Sequence, residues 1–567
     1  MIIADFLVDF LIKKKITDIF GIPGGSVLEL LYATNRRKNL IKPHLSFHEQ
    51  NAVFAASGYA IAGRKLGVAY ATRGPGITNM VTAITDAYCD SIPLLIITAH
   101  SSKKPFNNMR VFADQEIDTV KLFSGITKYC ARIDNQKNAR YEIEKAYFYA
   151  MNGRKGPVVL DFNMKVFFKE TNNKKFKIIK NRFSREKKFK DLKKKIQNKL
   201  LKSKRPIFLI GDGFRYANSI KKLTKISKKN KIPIISTRYS QDMISRSNNF
   251  FGYFGSHGLR YSNFILSKAD LIICLGNRYL FLNNRSKSFK SIFANSFIFR
   301  VDIDKSELTR KIPNGINYHL DLKKFLIKIK NIKVNHEKNN QWLKVCRKIK
   351  KELFNSDYAY PITAISELIN FIPNSYYIVS DVGNNEFWLS RAYAHSGSKN
   401  PVIYSKSFGA MGSSLGKAIG VYYATLKPVF CFVGDQALQM CIQELHFLAK
   451  NKIPITIVLL NNSSSGMIRS RQKWRYSENY LHTTTGSGYS IPNFIKIAES
   501  YDIKTYKITS SSISKIKKFM TSNHNLKLLE IVIDPTIEMI PNVPESYPFQ
   551  KMLPKLNDED FFWLESL

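Results

Sequence analysis

The stretch VFCFVGDQALQMCIQELHFLAKNKIPITIVLLNNSSSGM, from Val429 to Met467, decides the fold. Its two apolar runs, 429–433 and 455–460, are short and continuous, as is typical of strands buried on both faces of a parallel sheet. Between the runs, apolar residues recur at helical spacing and predict one helix: Leu438, Ile442, Leu445, Leu448 and Ala449. The pattern predicts a strand–helix–strand unit in an α/β protein with a doubly wound parallel sheet.

Two polar residues follow the predicted strands directly: Asp435 after the first and Asn462 after the second, 27 positions later. Taken alone, each Gly-Asp or Asn-Asn pair is more typical of an ordinary turn. Parallel strands joined by a helix end at one edge of the sheet, however, and ligands bind in the crevice at that edge. Magnesium prefers oxygen ligands and is often held by one carboxylate together with phosphate oxygens. We therefore predict a magnesium site at Asp435, Asn462 and the carbonyl of Ser464, with a diphosphate at the helix N-terminus.

The composition describes a globular chain of several domains. It has 567 residues, of which 44% are hydrophobic, enough for three or four domains with large cores. The net charge of +46 could indicate nucleic-acid binding. The lysines, however, concentrate at 174–204 and 323–351 among Asn and Ile, and they form no basic stripe interleaved with stacking aromatic residues. We expect solvated surfaces there and no nucleic-acid partner.

The cysteines and the N-terminus suggest a reduced, water-soluble setting. The six cysteines form no Cys-x-x-Cys pair and mostly lie in apolar runs, so we expect small core residues and no zinc site. Residues 1–20 place charges among apolar residues at helical spacing, which predicts an amphipathic helix rather than a signal peptide. The sequence contains no run of about 18 uncharged apolar residues, so no membrane span is predicted. We expect a cytoplasmic protein without a membrane partner.

The chain divides into regions that alternate short apolar runs with helical patterns. The predicted α/β domains span 1–168, 190–333 and 357–545, and a tail spans 546–567. The lysine-rich stretch 170–205 is expected to be a linker with an exposed helix, and the charged stretch 333–351 a linker or an exposed helical surface. The fold class is therefore α/β, with three doubly wound parallel-sheet domains.

Further motifs occur in order along the chain. They are Phe20-Gly21-Ile22-Pro23-Gly24-Gly25, His48-Glu49-Gln50, Gly74-Pro75-Gly76, Asp90-Ser91-Ile92-Pro93, Val301-Asp302-Ile303-Asp304, Asp381-Val382-Gly383 and Gly409-Ala410-Met411-Gly412. With Gly434-Asp435 and Asn461-Asn462, they resemble acetolactate synthase, a thiamine-diphosphate (ThDP) enzyme, over nearly the whole chain. The resemblance implies domains of the ThDP-enzyme type and a homodimer or homotetramer whose site lies between subunits.

The resemblance also implies roles for particular residues. Glu49 would hydrogen-bond the aminopyrimidine and assist loss of the C2 proton, and Gln115 would be the active-site glutamine. Met411 would bend ThDP, and the Gly409 carbonyl would accept from the aminopyrimidine. Without the motifs, Met411 would be interpreted as an ordinary core residue and Gln115 as an ordinary polar residue of the surface. Other implied cofactor-binding residues are Gly24, Gly25, Gly383, Asn384, Asn385, Gly434, Asp435, Gln436, Ala437, Asn462, Gly466 and Met467. FAD is a further implied cofactor, near Gly276, Asn277 and Arg278.

The chain departs from the family pattern at four places. Asn384-Asn385 stands where the family has Gln-His at the diphosphate, and Gln436-Ala437 where it has a small residue and Ser. Arg73 replaces a small polar residue before Gly74. Arg471 occupies the place of a Trp that shapes the acceptor pocket, and Trp474 follows three residues later. An arginine there suits an anionic or larger acceptor, or else lies in a solvent-facing loop.

These observations predict an enzyme that depends on ThDP and Mg²⁺. It would decarboxylate pyruvate or a related 2-keto acid and transfer the two-carbon unit to a carbonyl acceptor, a 2-keto acid or a ketosugar. A simple 2-keto acid decarboxylase is one alternative, and a non-catalytic binding subunit is another. Glu49, Asp435 and Asn462 together favour catalysis.

Overall fold

The computed structural model contains three parallel β-sheets of six strands each, which confirms the predicted fold class. It describes the chain except for residues 102–109, 111–112, 172–174, 177–186, 279–295, 311, 313, 523–524, 545–546 and 567. The chain forms two compact units. Unit 1 comprises Met1–Ile179, Ser375–Glu386 and Val402–Pro535, and unit 2 comprises Lys180–Asn374, Phe387–Pro401 and Thr536–Leu567.

The first sheet lies in unit 1, in the order β2-β1-β3-β4-β6-β5. Its strands are β1 (Asp18–Gly21), β2 (Lys42–Leu45), β3 (Gly67–Tyr70), β4 (Leu94–His100), β5 (Tyr129–Ile133) and β6 (Val158–Asn163). Its helices are α1 (Ile3–Lys13), α2 (Leu28–Asn35), α3 (Glu49–Gly63), α4 (Pro75–Thr78), α5 (Val81–Asp90), α6 (Thr119–Phe123) and α7 (Gln136–Met151). The predicted helix over 1–20 is wrong beyond Lys13, because Ile19 and Phe20 are buried in strand β1 instead.

The second sheet lies in unit 2, in the order β12-β11-β10-β7-β8-β9. Its strands are β7 (Pro206–Ile210), β8 (Ile234–Thr237), β9 (Phe250–Phe254), β10 (Leu271–Leu275), β11 (Phe297–Asp302) and β12 (Gly315–His319). The helices from α8 onward are α8 (Lys187–Lys202), α9 (Phe214–Ala217), α10 (Ile220–Asn230), α11 (Gln241–Ile244), α12 (Arg260–Ser267), α13 (Leu322–Lys328), α14 (His336–Leu353) and α15 (Ile362–Asn370). Ile207 and Leu209 enter one core cluster and Phe208 and Ile210 another, so both faces of β7 are covered.

The charged stretch 333–351, predicted to be a linker or an exposed helical surface, is mostly helix α14. Trp342, Cys346 and Ile349 form a buried stripe on that helix at spacings of three and four residues. The many lysines between them make this apolar pattern hard to recognise in the sequence. The tail contributes Phe549 and Leu564 to the same core cluster. The first expected linker, 170–205, falls partly outside the described residues, and its helix α8 buries Leu192, Ile196 and Leu200.

The third sheet lies in unit 1, in the order β14-β13-β15-β16-β18-β17, which repeats the order of the first sheet. Its strands are β13 (Tyr377–Ser380), β14 (Val402–Tyr404), β15 (Val429–Gly434), β16 (Ile455–Asn461), β17 (Lys504–Ile508) and β18 (Lys527–Val532). The remaining helices are α16 (Asn384–Ser396), α17 (Ser413–Thr425), α18 (Asp435–Gln439), α19 (Glu444–Lys450), α20 (Gly466–Arg475), α21 (Phe494–Glu499), α22 (Ile516–Met520) and α23 (Asp558–Ser566).

The single helix predicted after Asp435 is in fact two helices, α18 and α19. Leu438, Leu445 and Leu448 are buried as the spacing predicted. The intervening turn, 440–443, contains neither Gly nor Pro, so the sequence carried no signal for it.

Helices α3 and α17 join the first and third sheets into one core. A Cβ added at Gly58 would lie 2.0 Å from the Lys417 carbonyl oxygen, and one at Gly420 would lie 1.7 Å from that of Ala55. The two helices therefore touch through their backbones, which only glycine allows. No helix in the described part of the chain has the length and apolar character needed to cross a bilayer. The cytoplasmic location stays a prediction.

Candidate active site

Asp435 lies at the carboxyl end of β15, next to parallel strand β16, where the sequence placed it. Its buried carboxylate accepts at Oδ1 from the Gln436 backbone N–H (2.7 Å) and from Tyr489 Oη (2.9 Å). Its Oδ2 has no hydrogen-bond partner among the described residues. Burial raises the pKa of Asp435, and these hydrogen bonds only partly oppose the effect. One oxygen thus remains for a cation, whose charge would offset the cost of burial.

Asn462 lies at the end of β16, beside the start of α20. Its Nδ2 is buried without a partner among the described residues. A Cβ added at Gly466 would lie 2.5 Å from Asn384 Nδ2 and 2.7 Å from Asn462 Nδ2, so the glycine lets both amides converge. The Ser464 hydroxyl donates to Thr483 O (2.7 Å), and its carbonyl accepts from Gly466 N (2.8 Å). A carbonyl has two lone pairs, so a second one remains for a metal.

The two asparagines that replace Gln-His have different surroundings. Asn384 is 8% exposed, and neither its Oδ1 nor its Nδ2 finds a partner among the described residues. Asn385 instead donates from Nδ2 to Ser380 Oγ (3.1 Å), Asp381 O (3.0 Å) and Phe432 O (3.3 Å), tying β13 to β15. Of the two, Asn384 has the unused donor that a phosphate oxygen needs.

Three glycines border open space at this edge of the third sheet. A Cβ added at Gly383, Gly409 or Gly434 would meet no heavy atom of the described residues within 4 Å. Gly383 and Gly409 have φ of +88° and +70°, where other residues are strained. Gly434 has ordinary extended geometry, with φ −82° and ψ 164°, so its lack of a side chain has no conformational reason. Met411 follows Gly409 and is half-buried against the core.

Glu49 begins helix α3, which is capped by His48 accepting from the Gln50 backbone N–H (3.1 Å). Its Oε2 accepts from Asn79 Nδ2 at 2.9 Å. Its Oε1 would lie 3.5 Å from a Cβ at Gly76. The His-Glu-Gln and Gly-Pro-Gly motifs, separate in the sequence, therefore meet at this carboxylate.

Gln115 lies next to the Gly-Pro-Gly turn. A Cβ at Gly74 would be 2.3 Å from the Gln115 carbonyl oxygen, and Gln115 itself has φ +56° and is exposed. Gly24 packs closely against Thr72, where a Cβ would lie 2.4 Å from the Thr72 Cβ, whereas Gly25 borders open space. These residues thus cluster at one edge of the first sheet.

Two further residues at the site lie outside every sequence motif. Tyr489 holds Asp435 and lines a cavity of about 270 Å³. The other lining residues are Asp435, Gln436, Gln439, His482, Gly488, Ser490, Ile491 and Pro492. Glu444, buried on α19, accepts from Phe47 N (3.2 Å) and Asn51 Nδ2 (3.3 Å), just where α3 begins. Neither follows a strand or lies in a motif, so only the tertiary structure reveals them.

The remaining predicted residues lie on α18 and α20. Ala437 is buried and Met467 half-buried. Arg471 is exposed, and Trp474 is 63% exposed. Arg469, two residues before Arg471, is instead buried and donates to Pro535 O. The Arg471 side chain is therefore in contact with solvent, and its place in an acceptor pocket stays a prediction.

Three family models match the chain. They are the N-terminal TPP binding domain of thiamine pyrophosphate enzymes over 1–122, the central domain over 194–329 and the C-terminal TPP binding domain over 381–531. TPP and ThDP are the same cofactor. With three parallel sheets and polar groups converging at the third, the protein is a ThDP-dependent enzyme.

Its relatives narrow the family. The acetolactate synthase large subunit of Cyanidium caldarium is 32% identical over 535 residues, covering 90% of this chain and 89% of the relative. That of Lactococcus lactis is 32% identical over 549 residues, covering 94% and 93%. Isozyme 2 of Escherichia coli is 27% identical over 565 residues, covering 98% and 100%. The chain belongs to the acetolactate synthase family of ThDP-dependent carboligases.

Proposed function

We propose that this enzyme decarboxylates pyruvate or a closely related 2-keto acid and transfers the two-carbon unit to a second carbonyl compound. The observation that carries the proposal is the group of unpartnered polar atoms on Asp435, Asn462 and Asn384, beside glycines that border open space. Buried polar groups are nearly always paired, so such a group indicates a missing ligand. When bound, ThDP supplies the carbon nucleophile and accepts the electrons left as CO2 departs.

Magnesium is the cation that suits this donor set. Asp435 Oδ2, which has no hydrogen-bond partner among the described residues, would supply the carboxylate oxygen. The Asn462 side-chain oxygen and the Ser464 carbonyl would supply the neutral oxygens. The described residues hold no group of three or more His, Cys, Asp or Glu side chains that could bind a metal. One carboxylate with neutral oxygens leaves room for phosphate ligands, the arrangement that Mg²⁺ prefers. Asn384 would donate to a diphosphate oxygen in place of the family glutamine.

Glu49 would hold the proton that activates the cofactor. Its Oε2 accepts from Asn79, which leaves Oε1 as the oxygen that carries the proton. A carboxyl fixed in this way can donate a hydrogen bond to a ring nitrogen and take the proton back during turnover. Gln115, whose backbone lies against the same turn, would orient the substrate.

The acceptor would be a 2-keto acid or a ketosugar that carries an anionic group. Arg471 places an exposed cation where relatives use a Trp to shape the pocket. A guanidinium binds carboxylate or phosphate through two parallel hydrogen bonds. We further propose that the active form is a homodimer or homotetramer, as the family resemblance implies.

FAD receives no independent support from the described residues of unit 2. Gly211, Gly213 and Gly276 are accounted for by packing against one another and the neighbouring loop. The carbonyls of Asn277 and Arg278 accept from Arg300 and Arg310. A visible absorption spectrum of purified protein decides the question, because bound FAD has its own bands.

The test is CO2 release from pyruvate by purified protein supplied with ThDP and Mg²⁺. We expect release that collapses in Glu49→Gln, because the amide cannot exchange the proton. A ligated product with added acceptor would support the carboligase, whereas free aldehyde alone would indicate the simple decarboxylase. Failure of the wild-type protein to bind ThDP would overturn the proposal.

A further inference from the structure

A fully buried ion pair lies between the first and third sheets of unit 1. Lys417 on α17 and Asp86 on α5 both have side chains with 0% exposure, and Nζ lies 2.9 Å from Asp86 Oδ2. Ser413 Oγ lies 3.5 Å from the same Nζ. The free energy needed to remove two charges from water can exceed the attraction between them, so a buried ion pair is weak evidence for a role in stability alone.

The aspartates of α5 hold the start of the segment 405–414. Ser405 Oγ donates to Asp86 Oδ1 at 2.5 Å. The backbone N–H groups of Lys406 and Ser407 each donate to the buried Asp90 carboxylate at 2.8 Å. The beginning of a loop of the third sheet is thus fixed by carboxylates that belong to the first.

A third carboxylate holds the other end of the segment. Asp381, fully buried at the end of β13, accepts from the backbone N–H groups of Gly412 (3.1 Å) and Ser414 (2.9 Å). Gly409 and Met411, the residues expected to contact the aminopyrimidine, lie between these anchors. The geometry of that cofactor contact is therefore set by three buried carboxylates.

The hydrogen bonds that Asp90 and Asp381 accept are strongest when these two carboxylates are ionised. Burial raises the pKa of Asp90 and of Asp381. Lys417 opposes the rise at both, and Lys406 opposes it at Asp90, whereas Asp86 adds to it. Lys417 is thus the cation shared by all three carboxylates, being in direct contact with Asp86.

We propose that Lys417 is a positioning residue whose charge, balanced against Asp86, holds the segment 405–414 in its cofactor-binding conformation. The inference rests on the proposed function, because it assumes that ThDP contacts this segment. It does not require Lys417 to touch cofactor or substrate.

The test is the dissociation constant of ThDP, measured by titration calorimetry at fixed Mg²⁺ on full-length protein, with thermal melting alongside. Lys417→Met leaves Asp86 buried without its cation, so we expect about tenfold weaker binding or more. The double variant Lys417→Met with Asp86→Asn removes both charges, and we expect it to recover most of the lost affinity. Lys527→Met is the control, because Lys527 is also buried but donates to Phe519 O (3.0 Å), away from the segment. We expect a lower melting temperature there with unchanged ThDP affinity.

Ser405→Ala covers the case in which Lys417→Met does not fold. It removes the hydroxyl bond to Asp86 without changing charge, and we expect about threefold weaker ThDP binding. Unchanged affinity in Lys417→Met or in Ser405→Ala, or a double variant as weak as the single one, would overturn the inference and leave the proposed function standing. Absence of ThDP binding by the wild-type protein would instead remove the proposed function.

Discussion

The third and second sheets both place glycines after parallel strands, but for opposite physical reasons. At the third sheet, Cβ atoms added at Gly383, Gly409 and Gly434 would meet nothing within 4 Å in the part of the chain that the structure describes. At the second sheet, a Cβ at Gly211 would lie 2.3 Å from the Gly276 carbonyl oxygen, and one at Gly213 would lie 2.9 Å from the Gly276 Cα. At the third sheet the place of the absent Cβ is open space, whereas at the second sheet it is occupied by the protein's own backbone.

The contrast separates a ligand-binding edge from a packed one. The hydrogen bonds agree with the glycines. Asp435 Oδ2 has no partner among the described residues. Asp270, just before β10, accepts from Lys204 N (2.7 Å), Arg205 N (3.1 Å) and Ser203 Oγ. A glycine motif alone therefore does not indicate a cofactor. What surrounds the missing Cβ decides between the two interpretations.

The largest expected effect is at Asp435. Asp435→Ala removes the carboxylate ligand, so we expect ThDP affinity in the presence of Mg²⁺ to fall by at least about a hundredfold. Mutating a residue that only orients a metal ligand weakens binding by up to about that factor, and Asp435 would be a ligand itself. Titration calorimetry measures it. Asp270→Ala is the matched control in the second sheet, where we expect lower stability and normal ThDP affinity. Equal effects in the two variants would break the contrast between the sheets.

A glycine pair tests the contrast directly. Gly211→Ala forces a Cβ into backbone, and we expect the free energy of unfolding to fall by about 2 kcal/mol with ThDP affinity unchanged. Gly434→Ala meets nothing in the protein and has permitted geometry, so we expect unchanged stability and about tenfold weaker ThDP binding. Urea unfolding and calorimetry on both variants give the four values. A loss of stability in Gly434→Ala would mean that this edge is packed as well.

Glu444 extends the comparison to a buried carboxylate that is hydrogen-bonded. Burial raises its pKa from 4.5 to about 7, although the donors at Phe47, Asn51 and His48 oppose the shift. Because the folded pKa is the higher one, its contribution to stability is complete below pH 4.5 and is lost as pH rises through 7. Between pH 4.5 and 7, ionisation of Glu444 should lower the free energy of unfolding by about 2 kcal/mol. We expect this decline to be absent in Glu444→Gln. Parallel pH profiles of the two proteins would refute the assignment.

The smallest expected effect is at Arg471, which is exposed. Arg471→Ala should raise the KM for an anionic acceptor about threefold to tenfold, and added salt should weaken the dependence, while CO2 release from pyruvate stays normal. Lys496→Ala removes an exposed charge elsewhere in unit 1 as a control. An unchanged KM would place Arg471 among ordinary surface residues.

Much of the site could be predicted because it follows strands. Asp435 and Asn462 lie at the ends of adjacent strands β15 and β16, as the apolar runs predicted. Local patterns failed where tertiary contacts decide: the turn at 440–443 has no Gly or Pro, and α14 hides its apolar stripe among lysines. The cofactor contact expected of Asn385 stays a prediction. Its Nδ2 donates to Ser380 Oγ and to the carbonyls of Asp381 and Phe432, and no local pattern reveals these contacts.

The sequence by itself determined the three parallel sheets, the ThDP-enzyme family and the order of the motifs, because apolar runs and strand-end residues are local signals. Only the tertiary structure decided which of these residues have their hydrogen bonds and charges satisfied by other residues of the chain. It paired Glu49 with Asn79, set Tyr489 on Asp435, and placed Lys417 against Asp86. Hydrogen bonds and charge balance between residues far apart in the chain depend on how the sheets pack, and sequence spacing does not encode that packing.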